Sequence, residues 1–373
     1  MLALLRTGET RMIKRFVAVG VLLAVSQVPA VASPNSPAPE EVTDAIGHLG
    51  PVPIPADNPM TEAKVKLGKR MFEDAALSGD GSVSCESCHL PNHGFAVPQK
   101  LGPAYPSKAE RRNSPTLVNV AYNLPLIWDG RAGALDKQPL GSMGNVLHMN
   151  NNHDLMIETM KTDPSYVLAF EDAFGDGEIT KERIGKAIGS FERTLVFDDS
   201  PLDAYMRGDR NALSDAEKRG LTIFMGKGNC VVCHNGPNLS DNNFYNLGVP
   251  DAHVTSEPAV MASIRFDAKR NGYEGWADLS EDPGRAQITK DTTDFGAFRT
   301  MGLRNIAQTA PYMHNGAFET LEEVVRFYAA GGGDHANKTP LMQPFEVSEQ
   351  EVDDLVAFLN ALTGTQRQPE YAR

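Results

Sequence analysis

Apolar residues recur at three- and four-residue steps in two separate stretches. One runs from Ile184 to Phe191 and the other from Val352 to Leu362. Both predict helices with one buried face. Ser348 and Glu351 form a capping box that starts the last helix. Two further segments, Leu67 to Phe72 and Lys218 to Phe224, read as helices that run into loops containing Gly79 and Gly81, and Gly226 and Gly228. The chain therefore reads as mainly α, with the same helix-then-glycine-loop arrangement in each half. Asp198 to Asp209 is an acidic stretch that suits an inter-domain link. Ser33 to Pro39 reads as a flexible Pro/Ser tail.

A different apolar pattern stands at the N-terminus. Lys14 and Arg15 precede the run Phe16 to Val25, and Ala30-Val31-Ala32 follows. A basic start, a short apolar run and an A-x-A site predict a secretory signal peptide over residues 1–32. The run is short of the roughly 20 residues that a membrane-spanning helix needs. Met12, just before the basic pair, is an alternative start. The expectation is a periplasmic protein with no membrane span once the signal is removed.

The chain has 373 residues, 41% of them hydrophobic and 22% charged, enough for two domains with their own cores. Its formal charge is −13. Residues 1–32 hold four basic side chains and one acidic, so removing them takes the charge to −16. That balance argues against nucleic acid or an anionic membrane as a partner, and it would steer towards a basic one.

All four cysteines lie in two copies of one motif. Cys85-Glu86-Ser87-Cys88-His89 and Cys230-Val231-Val232-Cys233-His234 are both C-x-x-C-H. This spacing attaches c-type haem: the thiols form thioethers to the porphyrin, and the adjacent His reaches the iron. Two disulfides, a thioredoxin-like redox pair or a zinc site would each leave the repeated His unexplained. The cofactor expectation is two haem c groups, with His89 and His234 as iron ligands.

Further segments follow in order: Arg112-Asn113-Ser114-Pro115-Thr116, Trp128-Asp129-Gly130-Arg131, Phe191-Glu192-Arg193-Thr194-Leu195, Leu303-Arg304-Asn305-Ile306 and Thr309-Ala310-Pro311-Tyr312-Met313-His314-Asn315-Gly316. With the haem motifs they make the chain, from about Ala63 to Gly364, resemble the bacterial di-haem cytochrome c peroxidase family. The resemblance implies two cytochrome c-like domains. Residues 33–60 would be an N-terminal extension, 61–200 the domain of the peroxidatic haem, and 205–365 the domain of the electron-transfer haem. It also implies Trp128 as the residue between the haems and a calcium ion at Asn113, Thr309 and Pro311, where neutral oxygens and waters suit a hard cation.

Within the family, the residue fourteen after the His of the P-Y-x-H segment is ordinarily a Met that ligates the second haem. Here it is Tyr328, which resembles the MauG-like branch, whose enzyme completes a tryptophan-derived quinone on another protein. An anionic oxygen donor would favour ferric and higher states, where a thioether raises the potential. Between Leu90 and Arg112 the only histidine is His93, too near His89 to reach the opposite haem face. It reads as a surface or propionate contact, so the first haem is expected to lack a loop cap.

Two positions depart from the pattern. Twenty residues after Trp128 the family has a Glu on the distal side of the first haem; this chain has His148, while Gln138 keeps the MauG-like residue. His148 admits three roles: acid–base group for peroxide, iron ligand that closes the site, or neither, with His148 or His153 merely exposed. Gly228 stands where the MauG enzyme has a surface Trp, and the other Trp, Trp276, lies in the region Asp251 to Asp282, which holds no family motif. The reading is a di-haem oxidoreductase that uses hydrogen peroxide at the His89 haem, assisted by His148 and Gln138. Oxidising equivalents would be shared through Trp128 with the haem of His234 and Tyr328. Electrons would come from a small redox protein or a protein side chain. The competing reading is a non-catalytic di-haem electron carrier in which His148 closes the first haem.

Overall fold

The computed structural model describes residues 36–104, 108–251 and 256–368. The predicted signal peptide lies outside these residues. In chain order the α-helices are α1 (Pro39–Ala45), α2 (Glu62–Glu73), α3 (Gln138–Met143), α4 (His153–Lys161), α5 (Pro164–Phe174), α6 (Lys181–Glu192), α7 (Pro201–Met206), α8 (Asp215–Met225), α9 (Pro258–Arg270), α10 (Ala286–Thr289), α11 (Leu321–Ala329) and α12 (Glu349–Asn360). Among the described residues the strands form two-residue ladders. The fold is mainly α, as the periodicity predicts, and among the described residues no helix is long and apolar enough to cross a membrane.

Each half is built on one crossed helix pair. In the first half α2 packs on α6, and in the second α8 packs on α12. The crossings repeat atom for atom in type. A Cβ on Gly68 would stand 1.9 Å from the Ala187 carbonyl oxygen, and one on Gly220 would stand 2.0 Å from that of Asp354. Glycine at each crossing lets the two backbones touch, at the cost of helix propensity. Four residues on, Phe72 meets Phe191 and Phe224 meets Phe358, each pair with ring centroids 5.1 Å apart. Side chains four apart share a helix face, so one glycine and one phenylalanine per helix serve the same contact. The capping box predicted at Ser348 and Glu351 is present, and α7, α8 and α11 begin with boxes of the same kind, Ser200 with Asp203, Ser214 with Glu217 and Thr320 with Glu323.

Two segments differ from the expectation. Asp198 to Asp209 is not a loose link. Ser200 caps α7, whose Leu202 and Tyr205 are buried in the second half, and Asp203 accepts two hydrogen bonds from the Arg304 guanidinium. Of its acidic residues, Asp203 is a buried ion-pair and capping group while Asp199 and Asp209 are exposed, a difference that composition alone does not show. The Pro/Ser tail also ends early. Pro39 is already the first residue of α1, and the Tyr205 hydroxyl donates to the Pro37 carbonyl. Val42 and Ile46, from the expected extension, are buried among Leu202, Leu221 and Leu239 of the second half. The chain thus starts against its C-terminal half before entering the first.

Candidate functional site

The two C-x-x-C-H segments fold alike. His89 N–H donates to the Cys85 carbonyl at 3.0 Å, and His234 N–H to the Cys230 carbonyl at 2.9 Å. The turn brings both thiols and the imidazole to one cavity. His89 Nδ1 lies 3.1 Å from the Phe95 carbonyl, and His234 Nδ1 lies 3.1 Å from the Leu239 carbonyl. A carbonyl only accepts, so Nδ1 carries the hydrogen and Nε2 keeps its lone pair. Burial pushes the His89 imidazole down to about 4 and that of His234 down as well, so both rings are neutral donors. All four cysteines are free thiols rather than disulfides. Free thiol pairs beside an imidazole with an available Nε2 are the donor set that c-type haem requires.

The cavities are unequal. That of Cys230, Cys233 and His234 has a volume of about 320 Å³; that of Cys85, Cys88 and His89 about 140 Å³. Tyr328 lines the larger one. It sits on α11, whose Leu321 and Val325 line the same cavity, so the helix face that packs inward also delivers the phenol. Burial, with the two thiols nearby, raises the Tyr328 hydroxyl well above its usual range.

Trp128 lines both cavities, as do Arg111, Arg299 and Met301. Its indole N–H donates to the Asn113 carbonyl at 2.8 Å, which fixes the ring in the wall between them. Edge-on to it, with centroids 6.4 Å apart, is His314, which in turn stacks on Phe298 at 3.6 Å. Arg299 is 4% exposed and binds the Ile127 carbonyl, the Asn242 amide oxygen and the Met301 sulfur. Among the described residues no carboxylate pairs with it, and burial pulls its pKa down to about 10. A buried guanidinium without an acid suits a cavity that receives an anionic group, such as a haem propionate.

Behind Trp128 lies a buried ion cluster that the sequence reading missed. Arg112 binds Asp282 through Nε and Nη2, and Asp129 through Nη1, each at 2.7 Å. Arg131 bridges Asp129 and Asp267, Arg111 pairs with Asp267, and the Gln287 amide donates to Asp129. Asp267 comes from α9 and Asp282 from the loop after it. The region Asp251 to Asp282, without a recognised motif, thus supplies two of the three acids that hold the Arg-Asn-Ser-Pro-Thr and Trp-Asp-Gly-Arg segments. A sequence signal was available only as three arginines close to Trp128 with one acid among them.

In the smaller cavity, His148 and Gln138 both line the wall, with Ser142 accepting from the Gln138 amide at 3.0 Å. His153 is not exposed; it bonds the Leu140 carbonyl. Two carboxyls not singled out from the sequence also face this cavity. Glu110 Oε2 is 3.3 Å from His148 Nε2. Glu192, from α6, has an Oε2 without a partner. Burial pushes both carboxyls up to about 8. His93, half-buried, bonds the Ala310 carbonyl through Nε2 and so ties the first half to the second. The Asn113 side chain donates to the Gln99 and Lys100 carbonyls, and its backbone N–H bonds the His314 carbonyl, close along the chain to Thr309 and Pro311. Among the described residues no group of three or more His, Cys, Asp or Glu could hold a metal ion.

Comparisons agree with this geometry. Residues 62–211 match the family described as di-haem cytochrome c peroxidase. Cytochrome-c peroxidase IdrP1 of Denitromonas iodatirespirans is 41% identical over 350 residues, covering 92% of each chain. The methylamine utilization protein MauG of Methylophilus methylotrophus is 32% identical, over 84% of this chain and 86% of that one. A solved MauG-like protein associated with microbial copper homeostasis superimposes with a TM-score of 0.73 at 32% identity, over 85% of this chain and 94% of that one.

Proposed function

This chain belongs to the di-haem cytochrome c peroxidase family, MauG-like branch, and from that premise we propose that it reduces hydrogen peroxide at the His89 cavity with electrons from a redox protein or a protein side chain. The observation that carries the reading is the inequality of the two cavities. The His89 cavity holds acid–base groups, His148 and Glu110, with Gln138 beside them; the His234 cavity faces a phenol, Tyr328.

Cys85, Cys88 and His89 would hold one haem c, and Cys230, Cys233 and His234 the other, with Tyr328 as the second haem's distal ligand. When bound, the haems supply the redox chemistry that the protein side chains lack. The chain's residues supply the rest. His148 and Gln138 orient peroxide and move its protons. Trp128, in the wall of both cavities, couples them. Ligation by His148, which would make the protein an electron carrier, requires its Nε2 to leave Glu110.

Calcium is proposed at Asn113, Thr309 and Pro311. The Asn113 amide nitrogen donates to the Gln99 and Lys100 carbonyls, so its Oδ1 would be the atom offered to the ion, and the site would rest on neutral oxygens and water. The acidic chain, exported to the periplasm, would suit a basic donor. A protein substrate is not approached through a surface Trp at position 228. A Cβ on Gly228 would stand 2.8 Å from the Ile223 carbonyl and 3.3 Å from Cys230 Sγ, which leaves no room for an indole.

The test is a stopped-flow titration of the holo-protein with hydrogen peroxide. A rapid stoichiometric spectral change with one high-spin haem supports the reading. Two low-spin haems that ignore peroxide would sink it in favour of the electron carrier.

A further inference from the structure

The family position for a distal carboxyl is occupied by His148, yet a carboxyl is present, and it comes from another part of the chain. Glu110 follows a small hairpin in which Pro103 pairs with Ala109, and its N–H bonds the Gly102 carbonyl at 2.9 Å. Arg111 and Arg112, next along the chain, are locked into the buried ion cluster. Glu110 is therefore carried on a fixed backbone. His148 is fixed as well. Its N–H bonds the Asn145 carbonyl, and the Asn145 amide oxygen accepts from Leu147 N–H and from Arg270.

We propose that Glu110 and His148 act as one proton-holding pair on the His89 cavity, with Glu110 as the acid and His148 as the group that passes its proton to hydrogen peroxide. This rests on the peroxide reading above. The 3.3 Å contact between Glu110 Oε2 and His148 Nε2 could hold either an ion pair or a neutral acid on a neutral ring. The surroundings favour the neutral form. The charged groups facing the pair are Arg111, Arg131, Asp267 and, towards His148, Arg270. Burial disfavours a charged imidazole, and the three cations Arg131, Arg111 and Arg270 add to that against Asp267, bringing His148 down to about 3. Burial raises Glu110 to about 8 although Arg111 and Arg131 oppose the shift. So Glu110 keeps its proton at neutral pH and donates it to His148 Nε2.

The chemistry balances as H₂O₂ + 2 H⁺ + 2 e⁻ → 2 H₂O. The O–O bond breaks, and the two electrons come from two molecules of a reduced one-electron redox protein, each of which is oxidised once. One proton goes from Glu110 through His148 to the oxygen that leaves as water. The second comes from solvent, and a further solvent proton restores the Glu110 acid. A carboxylic acid kept protonated by its site is suited to this, because the donor's pKa lies close to the working pH.

Two readouts on the holo-protein test the pair. The first is infrared difference spectroscopy between pH 6 and pH 9. The wild type should show C=O absorption of protonated carboxylic acid that fades near pH 8 and to which Glu110 and Glu192 both contribute; Glu110→Gln should lose the Glu110 share and Glu110→Asp should keep it. The second is the rate of reaction with hydrogen peroxide by rapid mixing. Wild type should slow above about pH 8; Glu110→Gln should be about a hundredfold slower at pH 7 with that pH dependence gone, and Glu110→Asp should lie between. Unchanged haem content and absorbance in the variants show that the fold is intact. Glu110→Gln reacting at the wild-type rate with the wild-type pH profile overturns the proposal, as does carboxylic-acid absorption whose intensity the substitution leaves undiminished. A wild type that carries the Glu110 share of the absorption but does not react with peroxide overturns the peroxide reading while leaving the proton on Glu110.

Discussion

Gly220 and Asp354 meet backbone to backbone: a Cβ added to the glycine would stand 2.0 Å from the Asp354 carbonyl oxygen and 2.7 Å from Phe358 Cβ. Neither neighbour is the end of a flexible side chain. Gly220→Ala must therefore push α8 from α12, the contact on which the second half is built. Overpacking of this kind costs about 1–3 kcal/mol, more than the ~1 kcal/mol of helix propensity that alanine returns. Denaturant unfolding of the holo-protein should show a net loss. A variant as stable as wild type would mean that the helices do not touch there.

The ion cluster behind Trp128 makes stability depend on acid. Burial opposes ionisation of Asp129, but Arg112, Arg131 and Arg111 outweigh it and hold the carboxyl down at about 2. A carboxyl depressed in the folded state stabilises it above the unfolded pKa of about 4, and that stability is lost as pH falls through the folded value. The expected contribution is about 2 kcal/mol, disappearing between about pH 4 and pH 2. Asp129→Asn leaves the buried arginines short of one charge, so its deficit should be largest at neutral pH and shrink below pH 4. Thermal unfolding across that range checks it; a deficit independent of pH would contradict the assignment.

Tyr328 faces the cavity of His234, and its ligation is readily tested. Tyr328→Phe keeps the ring and removes the oxygen, so the second haem should change spin state and absorbance while the first is unaffected. Tyr328→Met should raise the potential of the second haem, since a thioether favours the ferrous form. An unchanged second-haem spectrum in Tyr328→Phe rules the phenol out as a ligand.

Arg299 is a buried cation on the wall of both cavities without a carboxylate among the described residues. Removing its charge should disfavour added electrons nearby. Arg299→Gln should lower the reduction potential of the haem it faces, with haem content retained. Spectroelectrochemical titration measures this, and equal potentials in variant and wild type would mean that the guanidinium faces neither haem.

Features that depend on neighbouring residues in the chain were legible without the fold. Two thiols and an imidazole within five residues carry their chemistry in their spacing, because one turn brings them together. The stripes of α6 and α12 and the cap at Ser348 are equally local, as is the step from His314 to Tyr328 at the far end of one short helix. Tertiary structure alone decided which groups share a cavity. Asp267 and Asp282 lie 156 and 170 residues from the arginines they hold, in a stretch that matches no motif. Glu110 precedes the Arg112 motif and resembles any surface acid until the hairpin turns it towards His148. An acid's chemistry follows from its desolvation and its charged neighbours, and both are set by long-range packing. For that reason the cysteines identified the cofactors, while the group that holds the proton emerged only from the folded chain.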